Sequence, residues 1–119
     1  SFIATGSMVK SAIDVADKLK LEIDVWSVPF IKPIDYEALM DICCDCNAVV
    51  VLEEHSKYGG LGSLVSEIAS STSPVPILQI AVNDRFSMEC GTYEYLLKEH
   101  QLDFESIYKK IISFLINFK

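Results

Sequence analysis

The run Val49-Val50-Val51-Leu52-Glu53-Glu54-His55-Ser56-Lys57-Tyr58-Gly59-Gly60-Leu61-Gly62-Ser63 decides how this chain folds. Its first four residues are apolar and three of them are β-branched, which suits a strand buried on both faces of a parallel sheet. Charge follows at Glu53, Glu54 and His55, where such a strand is expected to emerge, and the glycines then lead into a helix. In open α/β sheets ligands and partner surfaces are met at the carboxyl ends of the strands, so these polar residues mark the edge of a candidate site.

The same alternation extends in both directions. Upstream, Phe2-Ile3-Ala4-Thr5 reads as a short strand running into Gly6-Ser7, with Ser7 as N-cap of a helix from Met8 to Lys20. Ile23 to Val28 reads as the second strand. Pro29 and Pro33 mark a loop, and Asp35 caps a helix carrying Leu39, Met40, Ile42, Cys43 and Cys46. Ala48 to Glu53 is the third strand, with a helix from about Gly62 to Ser70 after it. Ile77 to Val82 is the fourth strand, followed by an irregular stretch, a short helix from Tyr93 to His100 and a last helix from Asp103 to Phe118. Strands alternating with helices across short connections imply a parallel sheet, right-handed crossovers and helices on both faces.

Composition bounds the rest. The 119 residues fit one domain, able to bury roughly two-thirds of its unfolded surface. Seventeen acidic against ten basic side chains give a net charge of −7, which repels phosphodiester backbones and anionic membranes, so neither nucleic acid nor membrane is an expected partner. Apolar stretches fall well short of the ~20 residues of a bilayer span, and no secretory pattern opens the chain; a cytoplasmic location is expected. Of the four cysteines, Cys43, Cys44 and Cys46 cluster in a helical segment and read as buried, reduced thiols, while Cys90 stands alone in a loop.

Few residues suggest chemistry. Thr5-Gly6-Ser7 could aim backbone N–H groups at an anion but lacks the further glycines of a dinucleotide fingerprint. Gly59-Gly60-Leu61-Gly62-Ser63 is no phosphate loop, since no Gly-Lys-Ser/Thr ending follows; tight packing against another domain explains it as well as a ligand does. Glu54 and His55 admit an acid–base pair or an interface hydrogen-bonding role. His100 reads as solvated. Asp84-Arg85 admits a structural ion pair or an anion clamp. No nucleophile triad, metal cluster or paired-carboxylate spacing emerges.

Ile3-Ala4-Thr5-Gly6-Ser7-Met8, then Phe30-Ile31-Lys32-Pro33-Ile34-Asp35, then Val51-Leu52-Glu53-Glu54-His55 with Gly59-Gly60-Leu61-Gly62-Ser63, then Asp84-Arg85-Phe86, together resemble the C-terminal domain of the transketolase family. The wording is most similar to the C-terminal subunit of split transketolases; deoxyxylulose-phosphate synthases and the beta subunits of 2-oxoacid dehydrogenases share the domain. The resemblance covers nearly the whole chain and implies a three-layer α/β/α sandwich with strand order 2-1-3-4. It also implies an antiparallel edge strand upstream of Ser1, so residues 1–119 are expected to be one domain of a larger subunit.

For function, the resemblance implies part of an enzyme that uses thiamine diphosphate and magnesium to move a two-carbon ketol unit between sugar phosphates. The cofactor would be bound by pyrimidine-binding and diphosphate-binding domains absent here, and the full enzyme would be a homodimer. No catalytic, cofactor-binding or metal-binding residue is assigned to this chain, and the isolated domain is expected to be inactive. Thr5, Gly6, Ser7, Glu54, His55, Gly59, Gly60, Gly62 and Arg85 are the candidate ligand or interface crevice. Another thiamine enzyme, or a stand-alone flavodoxin-like anion-binding module, is the alternative.

Overall fold

The computed structural model describes residues 1–117. Nine elements follow in the order β1 (Phe2–Ala4), α1 (Met8–Leu19), β2 (Val25–Ser27), α2 (Tyr36–Cys44), β3 (Val49–Ser56), α3 (Leu61–Ser71), β4 (Ile77–Val82), α4 (Tyr93–Glu99) and α5 (Phe104–Ile116). All strand pairings are parallel and the sheet order is β2-β1-β3-β4, so the expected order 2-1-3-4 is observed. β2 and β4 form the edges. Phe118, assigned to the last helix from sequence, lies outside the described residues.

The period-two geometry of a strand explains the layers. Phe2, Ala4, Val50, Leu52 and Ile80 point to one face, where Met8, Ala12, Val15 and Ala16 of α1 and Ile107 and Ile111 of α5 cover them. Ile3, Val49 and Val51 point to the other, against Leu39, Ile42 and Cys43 of α2 and Leu61, Val65, Ile68 and Ala69 of α3. The chain steps from β1 outward to β2 over α1, then returns past β1 to β3 over α2. Consecutive crossovers in opposite directions put α1 and α2 on opposite faces and leave a crevice between the carboxyl ends of β1 and β3.

Several local expectations are corrected. β2 spans only Val25–Ser27, shorter than Ile23 to Val28. α1 stops at Leu19 because Lys20 turns left-handed, with φ 53°. Ser7 occupies the N-cap position of α1 without a side-chain hydrogen bond; the turn is made by Gly6 at φ 58°, a region open to glycine at little cost. Asp35 does cap α2, accepting from the Ala38 N–H at 3.0 Å, and Asp103 caps α5 through Ser106 at 3.3 Å. The third strand does not end at Glu53 but continues to Ser56. Of the clustered cysteines, Cys43 is buried and burial, followed by the neighbouring Cys46 and Cys44, pushes its thiol pKa up. Cys46 is half-buried and Cys44 is exposed, so the reading of all three as buried thiols fails for Cys44.

Candidate functional site at the carboxyl edge of the sheet

β3 carries the site because it does not run straight. From Leu52 to Ser56 it takes four steps while its partner β4 takes two, from Ile80 to Val82, so Glu53, Glu54 and His55 bulge out of register. A bulge adds twist and re-aims side chains, which is why bulges recur beside functional sites. Here it turns Glu53 inward under the glycine turn while leaving Glu54 and His55 exposed.

Among the described residues Glu53 is the one buried charged side chain, only 1% exposed. Both its oxygens are occupied: Oε2 accepts from the Leu61 N–H and Oε1 from the Gly62 N–H, each at 2.8 Å. These N–H groups belong to the first turn of α3, where helix geometry leaves donors without intrahelical partners and the helix dipole favours negative charge. A buried carboxylate is tolerable only with such compensation. Glu53 thereby ties β3 to the start of α3 and fixes the glycine turn between them.

The glycines of that turn have different tasks. Gly59 takes φ 77°, in the left-handed region, and has open space around it. Gly60 has an ordinary φ of −95°, but a Cβ there would fall 2.2 Å from Glu53 Oε2. At Gly62 a Cβ would fall 2.9 Å from the Gln79 side chain, whose Nε2 donates to Ser66 Oγ at 3.1 Å. Gly62 is therefore a close-packing position between α3 and β4.

Thr5, Gly6, Ser7, Ile31, Glu53, Glu54, His55, Gly59 and Gly60 surround a crevice of about 450 Å³ between β1 and β3. Of the nine residues singled out from sequence, seven stand on it; Gly62 and Arg85 are not part of its lining. Arg85 donates to the backbone carbonyl of Glu99 and places Nη1 3.7 Å from Glu99 Oε1. The bonded partner of Arg85 is thus Glu99 rather than the adjacent Asp84. His100, expected to be solvated, keeps only 10% of its side chain exposed and shares a 2.7 Å hydrogen bond with Ser87 Oγ.

Glu54 and His55 do not bond to each other. Glu54 accepts from the phenol of Tyr93 at the start of α4, and His55 Nδ1 lies 2.9 Å from its neighbour's carbonyl, Ser56 O. The bond to Glu54 raises the Tyr93 pKa above its usual value, against a smaller opposing effect of Ser7. The sequence marks Glu53 at the site edge but not as a buried anchor, and it gives no sign of Tyr93. Glu53 reads there as the polar end of a strand, and Tyr93 is remote from the crevice along the chain.

The crevice does not fit thiamine diphosphate with magnesium. The α3 N–H groups of Leu61 and Gly62 that an anionic group would seek already serve Glu53, and two carboxylates stand on the lining. Among the described residues no three His, Cys, Asp or Glu side chains converge to hold a metal ion. No described helix is long and apolar enough to cross a membrane.

A three-layer domain with this strand order and a crevice at its switch point is a recurrent class of α/β module. Residues 1–107 match the family model of the transketolase, C-terminal domain, and the chain belongs to that family. It is 37% identical over 111 residues to an apulose-4-phosphate transketolase subunit of Actinobacillus succinogenes, covering 90% of this chain and 36% of that protein. It is 36% identical over 111 residues to the 1-deoxy-D-xylulose-5-phosphate synthase of Mannheimia succiniciproducens, covering 92% of this chain and 18% of that protein. Among solved structures it is similar to a split gene transketolase described as an inactive beta4 tetramer, with TM-score 0.81, 33% identity and coverage of 94% of this chain and 36% of the other. The chain spans about a third or less of the length of these relatives.

Proposed function

We propose that residues 1–119 form one C-terminal, non-cofactor-binding domain of a larger cytoplasmic enzyme, a thiamine-diphosphate- and magnesium-dependent transketolase that moves a two-carbon ketol unit between sugar phosphates. The observation that carries this reading is the likeness over nearly the whole chain to a split gene transketolase, supported by the match to an apulose-4-phosphate transketolase subunit. In this reading the cofactor belongs to pyrimidine-binding and diphosphate-binding domains or a second subunit, the full enzyme is a homodimer, and neither nucleic acid nor membrane is a partner. The description of the split relative as an inactive beta4 tetramer supports the view that a chain of this kind needs another component to act.

The domain's own task is assembly. Thr5, Gly6, Ser7, Glu54, His55, Gly59 and Gly60 present a crevice to a neighbouring domain or subunit, and its acidic lining, with Arg85 committed to Glu99, favours a polypeptide surface over a small anion. A second reading, a 1-deoxy-D-xylulose-5-phosphate synthase, is favoured by the near-equal identity to that enzyme.

Ketol transfer from xylulose 5-phosphate to ribose 5-phosphate, with thiamine diphosphate and magnesium, tests both. The isolated chain should be inactive, and the protein expressed with its natural upstream sequence and any adjacent-gene partner should be active. Pyruvate-dependent turnover in its place would move the assignment to the synthase.

A further inference from the structure

Between β4 and α4, residues 84–90 have no regular secondary structure, yet they are fastened at successive points. Arg85 bonds to Glu99, Ser87 Oγ lies 2.7 Å from His100 Nε2, the Met88 N–H donates to Glu99 Oε1 at 3.2 Å, and Glu89 accepts from the Tyr95 phenol. The segment is a strap pinned to α4. Its alternate residues face away: Phe86 is 90% exposed and Met88 82%, the highest values among the large apolar side chains of the described residues.

Scattered exposed apolar residues need no explanation, since folded surfaces are largely apolar. Two large ones at i and i+2 on a segment held by side-chain hydrogen bonds are different. They are presented in a set geometry, so a partner that buries them has little loop entropy to overcome. Aromatic and methionine side chains are also the types enriched at interface centres.

The surrounding charge selects the occupant. Asp84 and Glu89 are exposed on the strap and Glu94 on α4, against one exposed cation of α4, Lys98, while the strap's own basic residue, Arg85, is engaged by Glu99. A second copy of this chain, itself at net charge −7, would bring the same acidic rim against this one. We propose that the strap of residues 84–90 is a docking element whose Phe86 and Met88 insert into an apolar socket rimmed by lysine or arginine on another domain or subunit of the same enzyme. The proposal rests on the reading of this chain as one domain of a larger enzyme and names the surface and partner chemistry that reading lacks.

Methionine oxidation by dilute hydrogen peroxide, followed by peptide mass spectrometry, reads the burial of Met88 directly. Met8, 1% exposed, is the internal control. In the isolated chain Met88 should oxidise at the rate of a free methionine; in the assembled enzyme it should oxidise about tenfold more slowly, the effect of exclusion from solvent at an interface centre. Phe86→Asp should leave the melting temperature of the isolated chain unchanged and weaken its association with the rest of the enzyme about tenfold. Asp84→Lys should weaken association at low salt and not at high salt.

Equal oxidation rates in the isolated and assembled states would overturn the proposal. So would protection of Met88 in the isolated chain through dimerisation abolished by Phe86→Asp, because the occupant would then be a second copy. Ketol transfer separates the two readings. An active assembly with unprotected Met88 overturns the docking element alone, whereas protected Met88 in an assembly without ketol transfer supports the docking element and overturns the transketolase assignment.

Discussion

Gly60 lies so close to Glu53 that a Cβ on the glycine would stand 2.2 Å from the carboxylate Oε2. The buried charge and the missing side chain are one device. Glu53 can reach the Leu61 and Gly62 N–H groups only because nothing projects from Gly60.

Gly60→Ala should therefore cost about 1–3 kcal/mol, since Glu53 must surrender at least one buried hydrogen bond. Gly59→Ala offers the contrast: its added Cβ meets nothing, and only the left-handed φ of 77° is strained, for roughly 1 kcal/mol. Urea unfolding of both variants checks the order. Equal losses would show that the Gly60 contact relaxes freely.

Glu53→Gln retains the shape but presents an amide NH₂ to one of two backbone N–H donors. We expect a loss of about 2–3 kcal/mol, as for a charge-assisted bond removed from a buried site. Faster hydrogen exchange at Leu61 and Gly62 than elsewhere in α3 should accompany it. Unchanged exchange there would place the stabilisation outside the cap.

Asp103 supplies a pH-dependent contribution. Partial burial pushes its carboxyl up, but hydrogen bonds from the Ser106 side chain and backbone, with Lys98 nearby, outweigh this and hold it below the usual carboxylate range. A depressed folded-state pKa stabilises above the unfolded value, and this contribution is lost as pH falls through the folded value. Asp103→Ala should cost about 1 kcal/mol at neutral pH, the worth of an N-cap, and the gap to the natural chain should close on acidification. Thermal melts of both proteins from neutral to acid pH read it.

Tyr93→Phe removes the phenol that bonds Glu54. Because this bond raises the Tyr93 pKa in the folded state, its stabilisation is present below the unfolded value near 10 and fades as pH rises through the folded one. The exposed site limits the neutral-pH loss to less than about 1 kcal/mol. Comparing alkaline unfolding of the two proteins isolates the effect, and coincident alkaline curves would remove Glu54 as the partner that matters.

Anion binding at the crevice is testable through Arg85 and His55. Arg85→Ala should leave phosphate-dependent melting unchanged, because the guanidinium is held by Glu99 away from the crevice, while proteolysis within residues 84–90 should accelerate as the strap loosens. A reduced phosphate effect in Arg85→Ala or His55→Ala would restore the anion-site reading.

Much of this is visible in the residues. The apolar run Val49–Leu52 marks a two-sided buried strand, and Asp35 and Asp103 sit before helical stripes where caps belong. Strand order comes from likeness of motifs rather than periodicity, since alternation fixes which face a side chain takes but not which strand lies beside which. The stretches Thr5–Ser7 and Glu54–Gly60 stand out as a site because strand ends and glycine turns are local features.

What the sequence by itself determined is the alternation of strands and helices, the faces they bury and the charged, glycine-bearing loops at one sheet edge, because these follow from local periodicity and turn chemistry. Only the tertiary structure decided the roles within those loops. The two-residue bulge of β3 turned Glu53 inward and left Glu54 outside; the fold of residues 84–100 took Arg85 to Glu99, covered His100 and brought Tyr93 to Glu54. Those outcomes depend on strand register and on contacts between residues far apart in the chain, which no local pattern encodes.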